Sequence, residues 1–318
     1  TVNECFLSAS QNIFDVESAK HQKARLLAQE KTGTPVVLYN DGENLTHRFT
    51  DKLPITNFPL KTDDSKDAPV VIYEFPIESP PYGLYVAGID PYRQGQSKYS
   101  DSLGSVYIYK RMHDLTGEKY QDMFVASYCA RPEKKEIWDE QARLLIKYYN
   151  ARALVENDEV SFIDYMIAKG DAHYLEKQPD WLKEVVPNTT VRRDYGIHRS
   201  AEKIRDFLHT CLKKYLEEPI FVEKDENGNV IREVLGVTKI FDPVLLEEII
   251  QYNDEDNFDR VIAAELAIAQ AMKMDPIFGK ISSTKDSRVE SLLKPKKRNV
   301  LFDSSKGLFT NNRNKLFR

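Results

Sequence analysis

The sequence predicts an α/β fold, with a mixed central sheet that has helices on both faces. Three apolar runs, at 84–89, 105–110 and 123–129, have the length and composition of buried strands. A helical segment at 133–149 separates them from a fourth apolar run at 153–155. Antiparallel strands followed by a crossover helix and a further strand are typical of a mixed sheet.

Residues 1–80 precede this pattern, and we expect them to form an accessory segment. Its predicted elements are a charged helix near 16–31 and short strands at 35–39 and 69–75. The main domain is expected to follow at 81–279.

Helix and turn signals mark the later elements. An amphipathic helix is expected at 200–215, and the pair Asn227-Gly228 lies between two runs of alternating apolar residues. Asn-Gly in this position indicates a β-hairpin insertion with a tight turn. Asp242 followed by Pro243 is typical of a helix start, with aspartate as the N-cap and proline in the first helical position.

Three carboxylates lie at the ends of predicted elements. Asp90 follows the first buried strand and precedes Pro91, which ends the strand because proline cannot donate to a ladder. Glu156 closes the fourth apolar run, and Asp259 opens an alanine-rich helix at 258–269. Each acid alone has a structural explanation, as a loop residue, as part of a helix start or as a complement to the helix dipole. Their shared position at element ends predicts a joint metal site.

The chemistry of carboxylates explains why acids are needed there. Their hard oxygens are the ligands that Mg²⁺ and Mn²⁺ prefer. Two such ions activate a water and stabilise the leaving oxygen in phosphodiester hydrolysis. Three acids that converge without a metal repel one another. We therefore expect a raised pKa for at least one of them, and relief of the repulsion by divalent metal.

The acids belong to segments that match a known family over about residues 84 to 275. The matching segments are Tyr85-Val86-Ala87-Gly88-Ile89-Asp90-Pro91, residues 101–106, Ala153-Leu154-Val155-Glu156-Asn157, residues 240–248, Asn257-Phe258-Asp259-Arg260-Val261, and Tyr195-Gly196-Ile197-His198-Arg199-Ser200 followed by Lys203. Together these segments resemble the nuclease domain of the large terminase subunit of tailed bacteriophages, which has a ribonuclease H-like fold.

The resemblance implies an activity, a site and cofactors. The chain would be a metal-dependent DNA endonuclease that cuts concatemeric double-stranded DNA during phage genome packaging, with two divalent ions, Mg²⁺ or Mn²⁺. Asp90, Glu156 and Asp259 would be both the catalytic residues and the metal ligands. Many members carry a His-Asp-Asp run where this chain has Phe258-Asp259-Arg260, so the identity of any fourth ligand stays open.

The resemblance also implies partners and a location. The expected partners are double-stranded DNA, the phage portal, the small terminase subunit and the ATPase domain of the same full-length protein. The expected location is the host cytoplasm, at the procapsid portal. No Gly-x-x-x-x-Gly-Lys-Ser/Thr phosphate loop occurs in the sequence, so we expect no ATPase motor within it. Because the first residue is Thr1, we expect an excised piece of a longer protein.

Basic residues near the acids are candidates for contacts with the DNA backbone. Phosphate contacts position a duplex without reading its sequence, and a solvated helix face is the alternative for those that begin the 200–215 helix. The Asn227-Gly228 hairpin is a candidate gate for DNA, with a simple surface hairpin as the alternative. The candidate DNA-binding residues are Arg93, Lys98, Arg192, Arg193, Arg199 and Lys203.

Composition narrows the class of protein. The chain has 318 residues and a net charge of −5, which argues against a surface that binds nucleic acid throughout. Cys5, Cys129 and Cys211 show neither disulfide nor zinc spacing. No apolar run reaches the length of a membrane span, and we expect no membrane partner. Residues 280–318 form a basic tail, for which phosphate binding, portal docking and a solvated terminus stay open.

Two further function classes remain. One is another ribonuclease H-like nuclease, such as a junction resolvase or a transposase. The acid order Asp, Glu, Asp differs from the transposase order Asp, Asp, Glu, and the hairpin before the last acidic helix favours a terminase over a resolvase. The other class is a non-catalytic packaging or portal-docking module, in which the acids would be relics without activity.

Overall fold

A computed structural model describes the chain in stretches that all belong to one compact unit, Thr1–Ile277. The described residues are 12–56, 66–92, 102–112, 122–186, 194–253 and 256–274. Four candidate DNA-binding residues and the basic tail at 280–318 lie outside them. Those four residues are Arg93, Lys98, Arg192 and Arg193.

Helices and strands are interspersed along the described residues, as expected for an α/β fold. The helices are α1 (Val16–Ala28), α2 (Lys135–Tyr149), α3 (Ser161–Ala168), α4 (Leu182–Val185), α5 (Glu202–Glu217), α6 (Pro243–Gln251) and α7 (Asp259–Lys273), with short 3₁₀ helices at Ala172–Tyr174 and Gly236–Lys239. The strands are β1 (Thr34–Asp41), β2 (Asn44–Phe49), β3 (Val70–Ile72), β4 (Tyr85–Asp90), β5 (Gly104–Lys110), β6 (Met123–Ala130), β7 (Arg152–Val155), β8 (Pro219–Lys224) and β9 (Val230–Leu235).

These strands form a seven-stranded mixed sheet and a separate two-stranded sheet. The order in the large sheet is β2-β1-β3-β6-β5-β4-β7. Strands β4 and β7 are parallel, and every other neighbouring pair is antiparallel. The small sheet is the hairpin β8-β9. The structure therefore confirms the predicted α/β fold with a mixed sheet.

Helices cover both faces of the large sheet. A Cβ atom at Gly104 in β5 would lie 2.3 Å from the Trp138 ring of α2, and one at Gly88 in β4 would meet the backbone of α7. Gly88 pairs with Tyr107, three residues after Gly104, so the two glycines point to opposite faces. Every residue of β4, β5 and β6 is buried, as is typical of strands covered on both sides.

Small residues allow α7 to pack directly against β4. A Cβ atom at Gly88 would lie 1.9 Å from Ala263 O and 2.5 Å from Ala267 N. Residues four apart share a helix face, and residues two apart share a strand face. The face of α7 that packs on the strand therefore also carries Asp259. The face of β4 that receives the helix also carries Asp90.

The structure confirms most of the predicted elements and adds one connection. The charged helix is α1, the three strands are β4, β5 and β6, and the crossover helix is α2. Asp242 caps α6 as predicted, because its Oδ1 accepts from Val244 N at 2.8 Å and Leu245 N at 3.2 Å. The sequence does not predict β2, nor that β1 and β3 of the accessory segment join the large sheet through β6.

The predicted hairpin is present, but its turn is longer than the tight Asn-Gly turn that we expected. Asp225 N donates to Asn229 O at 2.9 Å, and Gly228 N donates to Asp225 O at 3.0 Å. Asp225 Oδ1 also accepts from Asn227 N at 2.9 Å. Gly228 has a φ of +85°, which favours glycine. The turn thus spans 225–229, because the Asp225 side chain organises the residues that follow it.

We predict that Gly88→Ala lowers the free energy of unfolding by at least about 3 kcal/mol. The new methyl group would overlap the backbone of α7, which cannot rotate away as a flexible side chain can. Urea unfolding of both proteins measures the difference. Gly170→Ala is the control, because Gly170 has a φ of +77° with nothing within 4 Å of an added Cβ. It should cost about 1–2 kcal/mol through backbone strain alone, and equal losses in the two variants would contradict the close packing.

Candidate metal centre

Asp90 and Glu156 lie side by side at the ends of two parallel strands. Asp90 is the last residue of β4, and Glu156 follows the last residue of β7. Ile89 is paired with Val155, and Glu156 N donates to Ile89 O at 2.8 Å. Neighbouring residues in register on parallel strands about 4.8 Å apart point to the same face. The two carboxyl groups therefore meet, and Asp90 is only 9% exposed.

Asp259 is held at the N-terminus of α7 by the chain that leads into β5. Its Oδ2 accepts from Leu103 N at 2.6 Å and from Asn257 Nδ2 at 3.0 Å. Its Oδ1 accepts from Ser102 Oγ at 3.3 Å. The side chain is buried, and these donors fix it beside the end of β4.

The other two acids act on the ionisation of Asp90. Burial raises the pKa of Asp90 well above its usual range, and the charges of Glu156 and Asp259 raise it further. A hydrogen bond with Glu156 also favours the protonated form, while Arg199 acts in the opposite direction. Burial raises the pKa of Asp259 to about 7, against the lowering effect of the Leu103 amide. The raised pKa of Asp90 agrees with the expectation for acids that converge, whereas burial and the charge of Glu248 raise that of Asp259.

Arg199 reaches the acids because the segment before it extends the sheet beside β7. Ile197 forms a parallel bridge with Glu156, and Ile197 N donates to Val155 O at 2.9 Å. Gly196 has a φ of +74°, and a Cβ atom there would lie 2.3 Å from Val155 O. A glycine is thus required for this close approach. The segment places Arg199 where its charge interacts with those of the acids.

Arg199 forms a buried ion pair with Glu265 of α7. Its Nη2 lies 3.1 Å from Glu265 Oε2, and the Glu265 side chain has no exposed surface. Burial raises the pKa of Glu265 to about 8, although Arg199 acts to lower it. Among the predicted DNA-binding residues, Arg199 is therefore a buried cation beside the acids. Only a group that enters the site of the acids can reach its guanidinium.

The structure does not bring the other described candidates to the acids. Lys203 is exposed on α5, and Asn227 and Gly228 are exposed in the hairpin turn. The described part of the centre consequently contains three acids and one arginine. The candidates that lie outside the described residues are Arg93, Lys98, Arg192 and Arg193.

A helix start does not explain Glu156. Helix α3 begins at Ser161, and its N-cap residue Val160 makes no side-chain capping bond. Asp158, which would be the natural cap, pairs with His198 instead. Glu156 is therefore an acid at a strand end, next to Asp90, and not part of a capping arrangement.

The sequence analysis did not predict a buried ion pair that joins α6 to the start of α7. Arg260 Nη1 lies 2.6 Å from Glu248 Oε1, and Arg260 N donates to Glu248 Oε2 at 3.0 Å. Arg260 directly follows Asp259 in the sequence. This position therefore supplies a cation and not a ligand. Charged residues inside the apolar runs 244–249 and 258–269 were the signal of a buried pair.

The donor chemistry of the centre fits a divalent cation. Carboxylate oxygens are hard ligands, and a cation between the acids would lower the raised pKa values of Asp90 and Asp259. As the side chains stand, no three His, Cys, Asp or Glu residues in the described stretches have the geometry of a metal site. Asp90 and Glu156 are the residues that would hold the cation. Asp259 would be the third ligand, with its Oδ1 accepting one hydrogen bond and its Oδ2 two from neighbouring donors.

We predict that Asp90→Asn raises the free energy of unfolding at pH 8 by about 1–3 kcal/mol when no divalent ion is present. The folded-state pKa of Asp90 is raised, so the wild type loses stability as the pH rises above about 4 and through that pKa. The asparagine variant avoids this loss, and the difference should vanish near pH 4. Urea unfolding at several pH values measures it.

Asp171→Asn is the matched control with the opposite sign. Burial tends to raise the pKa of Asp171, but bonds from Lys147 and Arg143 lower it overall. Its stabilising effect is present above about pH 4 and is lost as the pH falls through the lowered pKa. This variant should therefore be less stable than the wild type at pH 8. A loss of stability at pH 8 in both variants would contradict the repulsion among the acids.

Comparisons with known proteins add no relative. No protein-family model matches this chain, and no curated protein matches it in sequence. No helix within the described stretches is both long and apolar enough to cross a membrane. The family that the quoted segments resemble therefore stays a prediction, and the functional argument depends on the geometry of the centre.

Proposed function

We propose that this chain is the ribonuclease H-like nuclease domain of a phage large terminase subunit, which hydrolyses double-stranded DNA with divalent metal ions. The observation that carries the proposal is the placement of the acids. Asp90 and Glu156 end neighbouring parallel strands, and Asp259 begins the helix that packs on the first strand. Buried acids with raised pKa values cluster at functional sites, because catalysis and metal binding use carboxylates whose ionisation is tuned by burial and neighbouring charges.

The strand order supports the ribonuclease H-like part of the proposal. Strands β4, β5 and β6 form an antiparallel meander, and β7 lies parallel to β4 on its other side, after the crossover helix α2. The first acid thus lies in the interior of the sheet, and the crossover brings the second acid next to it. The sequence resemblance implies the same order, with a third acid on a late helix.

The acids have defined tasks in the proposed reaction, in which a water attacks phosphorus and a bridging oxygen leaves. When bound, two divalent ions would supply the activated water and neutralise the charge on the leaving oxygen. Asp90 and Glu156 would hold them, and Leu103 N and Ser102 Oγ orient Asp259 as the third donor. Because burial favours protonated Asp90, that carboxyl group must release its proton when it becomes a ligand.

The proposed substrate is the concatemeric double-stranded DNA of a phage genome, cut with little sequence preference when head filling begins and ends. The portal, the small terminase subunit and the ATPase domain of the same full-length protein are the proposed partners. The proposed place of action is the host cytoplasm, at the procapsid portal. Substrate, partners and place depend on the sequence resemblance, whereas the reaction type is also supported by the geometry of the acids.

We predict that the protein nicks supercoiled plasmid in the presence of Mn²⁺ or Mg²⁺, and that EDTA stops the reaction. Asp90→Asn and Glu156→Gln should each lower the rate by at least about 100-fold, because each removes a charged ligand. Asp259→Asn should lower it by at least about 10-fold, since this side chain contributes fewer free oxygens. The rate at which nicked circles form on agarose gels measures all three.

Asp171→Asn serves as the control, because it neutralises a buried acid that pairs with Arg143 on α2 and should keep the wild-type rate. Wild-type cutting by all three acid variants would refute the metal-site assignment. Failure of the wild type to cut with any divalent ion would favour the non-catalytic module. Faster cutting of a four-way junction than of a linear duplex would favour a resolvase.

A further inference from the structure

Glu265 is a buried acid that the reaction described above does not use. It lies in the middle of α7 with no exposed surface. Its Oε2 accepts from Arg199 Nη2 at 3.1 Å, and His209 Nε2 lies 3.4 Å from its Oε1. Burying an ionised carboxylate lowers stability unless cations and donors compensate. A buried ion pair is therefore only weak evidence that Glu265 serves to stabilise the fold.

Arg199 connects Glu265 to the acid pair. Burial lowers the pKa of Arg199, but the charges of Glu265, Glu156 and Asp90 raise it overall. The backbone before Arg199 is fixed by the pairing of Ile197 with the end of β7. The side chain is fixed by Glu265 on the helix. The guanidinium is thus held from two directions beside the acids.

Arg199 retains donors that the described contacts do not use. The residue is 9% exposed, and its buried Nε has no hydrogen-bond partner among the described residues. A guanidinium has five N–H donors in a planar fork, which suits two oxygens of one phosphate. Arg199 also borders a cleft of about 280 Å³, whose wall includes Arg205 and His209 but also the acids Glu202, Asp206 and Asp256. An anionic oxygen is the natural partner for the unused donors.

We propose that Glu265 is a positioning residue that holds Arg199 beside Asp90 and Glu156, so that the guanidinium binds the phosphate group undergoing hydrolysis. This inference rests on the proposed nuclease function and deepens it. Arg199 gives the phosphate oxygens a fixed positive charge in a site that is otherwise acidic. Glu265 does not touch the substrate and acts only through Arg199.

A purely structural ion pair would behave differently from a positioning pair. A pair that only joins α7 to the segment before α5 would change the free energy of unfolding and leave the turnover of folded protein unchanged. A positioning pair changes kcat in protein that is still folded. The two roles are therefore separated by kinetics on folded variants and by direct observation of the Arg199 side chain.

The kinetic test compares Glu265→Gln and Glu265→Asp with the wild type in Mn²⁺-dependent cleavage of linear duplex DNA. Glu265→Gln should lower kcat about 10–100-fold, with KM changed less than about twofold, as for other residues that orient a group in direct contact. Glu265→Asp should recover part of the loss because it keeps the charge. Asp171→Asn, which removes another buried partner of an arginine, should leave kcat unchanged.

A double variant tests whether Glu265 acts through Arg199. Arg199→Ala combined with Glu265→Gln should be no slower than Arg199→Ala alone, because the positioning residue has nothing left to position. Multiplied effects in the double variant would mean that Glu265 acts independently. A wild-type kcat in folded Glu265→Gln would overturn the proposal.

An NMR measurement tests the positioning without cleavage. In protein labelled with ¹⁵N-arginine, the Arg199 Nε–Hε signal is assigned by its loss in Arg199→Lys. A short duplex added with Ca²⁺ should shift this signal in the wild type and leave it unshifted in Glu265→Gln. Equal shifts in both proteins would refute the role of Glu265. If the wild type cleaves no DNA with any ion, the proposed nuclease function fails, while this measurement still decides whether Glu265 holds Arg199 for a phosphate.

Discussion

The contact of α7 with β4 at Gly88 determines where the acids lie. Because Gly88 has no Cβ, the backbone of α7 at Ala263 can lie directly on the strand. A larger residue at either position would move the helix away and carry Asp259 with it, one helical turn before Ala263. The bonds from Arg260 to Glu248 then fix the first turn of the helix. The geometry of the site is thus set by backbone packing and not by the acids, whose mutual repulsion opposes it.

That repulsion makes the site unfavourable for folding in the absence of a cation. Burial and the charges of Glu156 and Asp259 raise the pKa of Asp90, and burial and the charge of Glu248 raise that of Asp259. The burial of β4, β5 and β6 between helices offsets the stability that the repulsion removes, since every residue of these strands is buried. A cation that binds the folded state would recover the free energy that the repulsion removes. The same negative charges therefore destabilise the site without a cation and favour the binding of metal to it.

The sequence predicts the strand-end positions of Asp90 and Glu156, because both close short apolar runs and the end of a buried strand is visible in a single segment. It does not reveal the pair of Arg199 with Glu265, whose members are 66 positions apart, because that contact depends on the packing of α7. The same limit applies to β1 and β3, which pair with distant strands. The hairpin turn departs from the Asn-Gly pattern for a local reason, since Asp225 bonds to its neighbours. Hydrophobic periodicity in the sequence therefore does not predict contacts between distant segments or hydrogen bonds made by side chains in turns.

The balance of charge in the centre constrains the order of events in the proposed reaction. Two guanidinium groups act on the three carboxylates, but Arg199 already pairs with Glu265 and Arg260 already pairs with Glu248. A phosphate group that approaches the empty site would meet excess negative charge, in surroundings where burial weakens screening. In the proposed reaction, divalent ions held by the acids would therefore have to neutralise this charge before or while the phosphate binds. Because both guanidinium groups are already paired with carboxylates, binding of a DNA phosphate by Arg199 would depend on ions held by the acids.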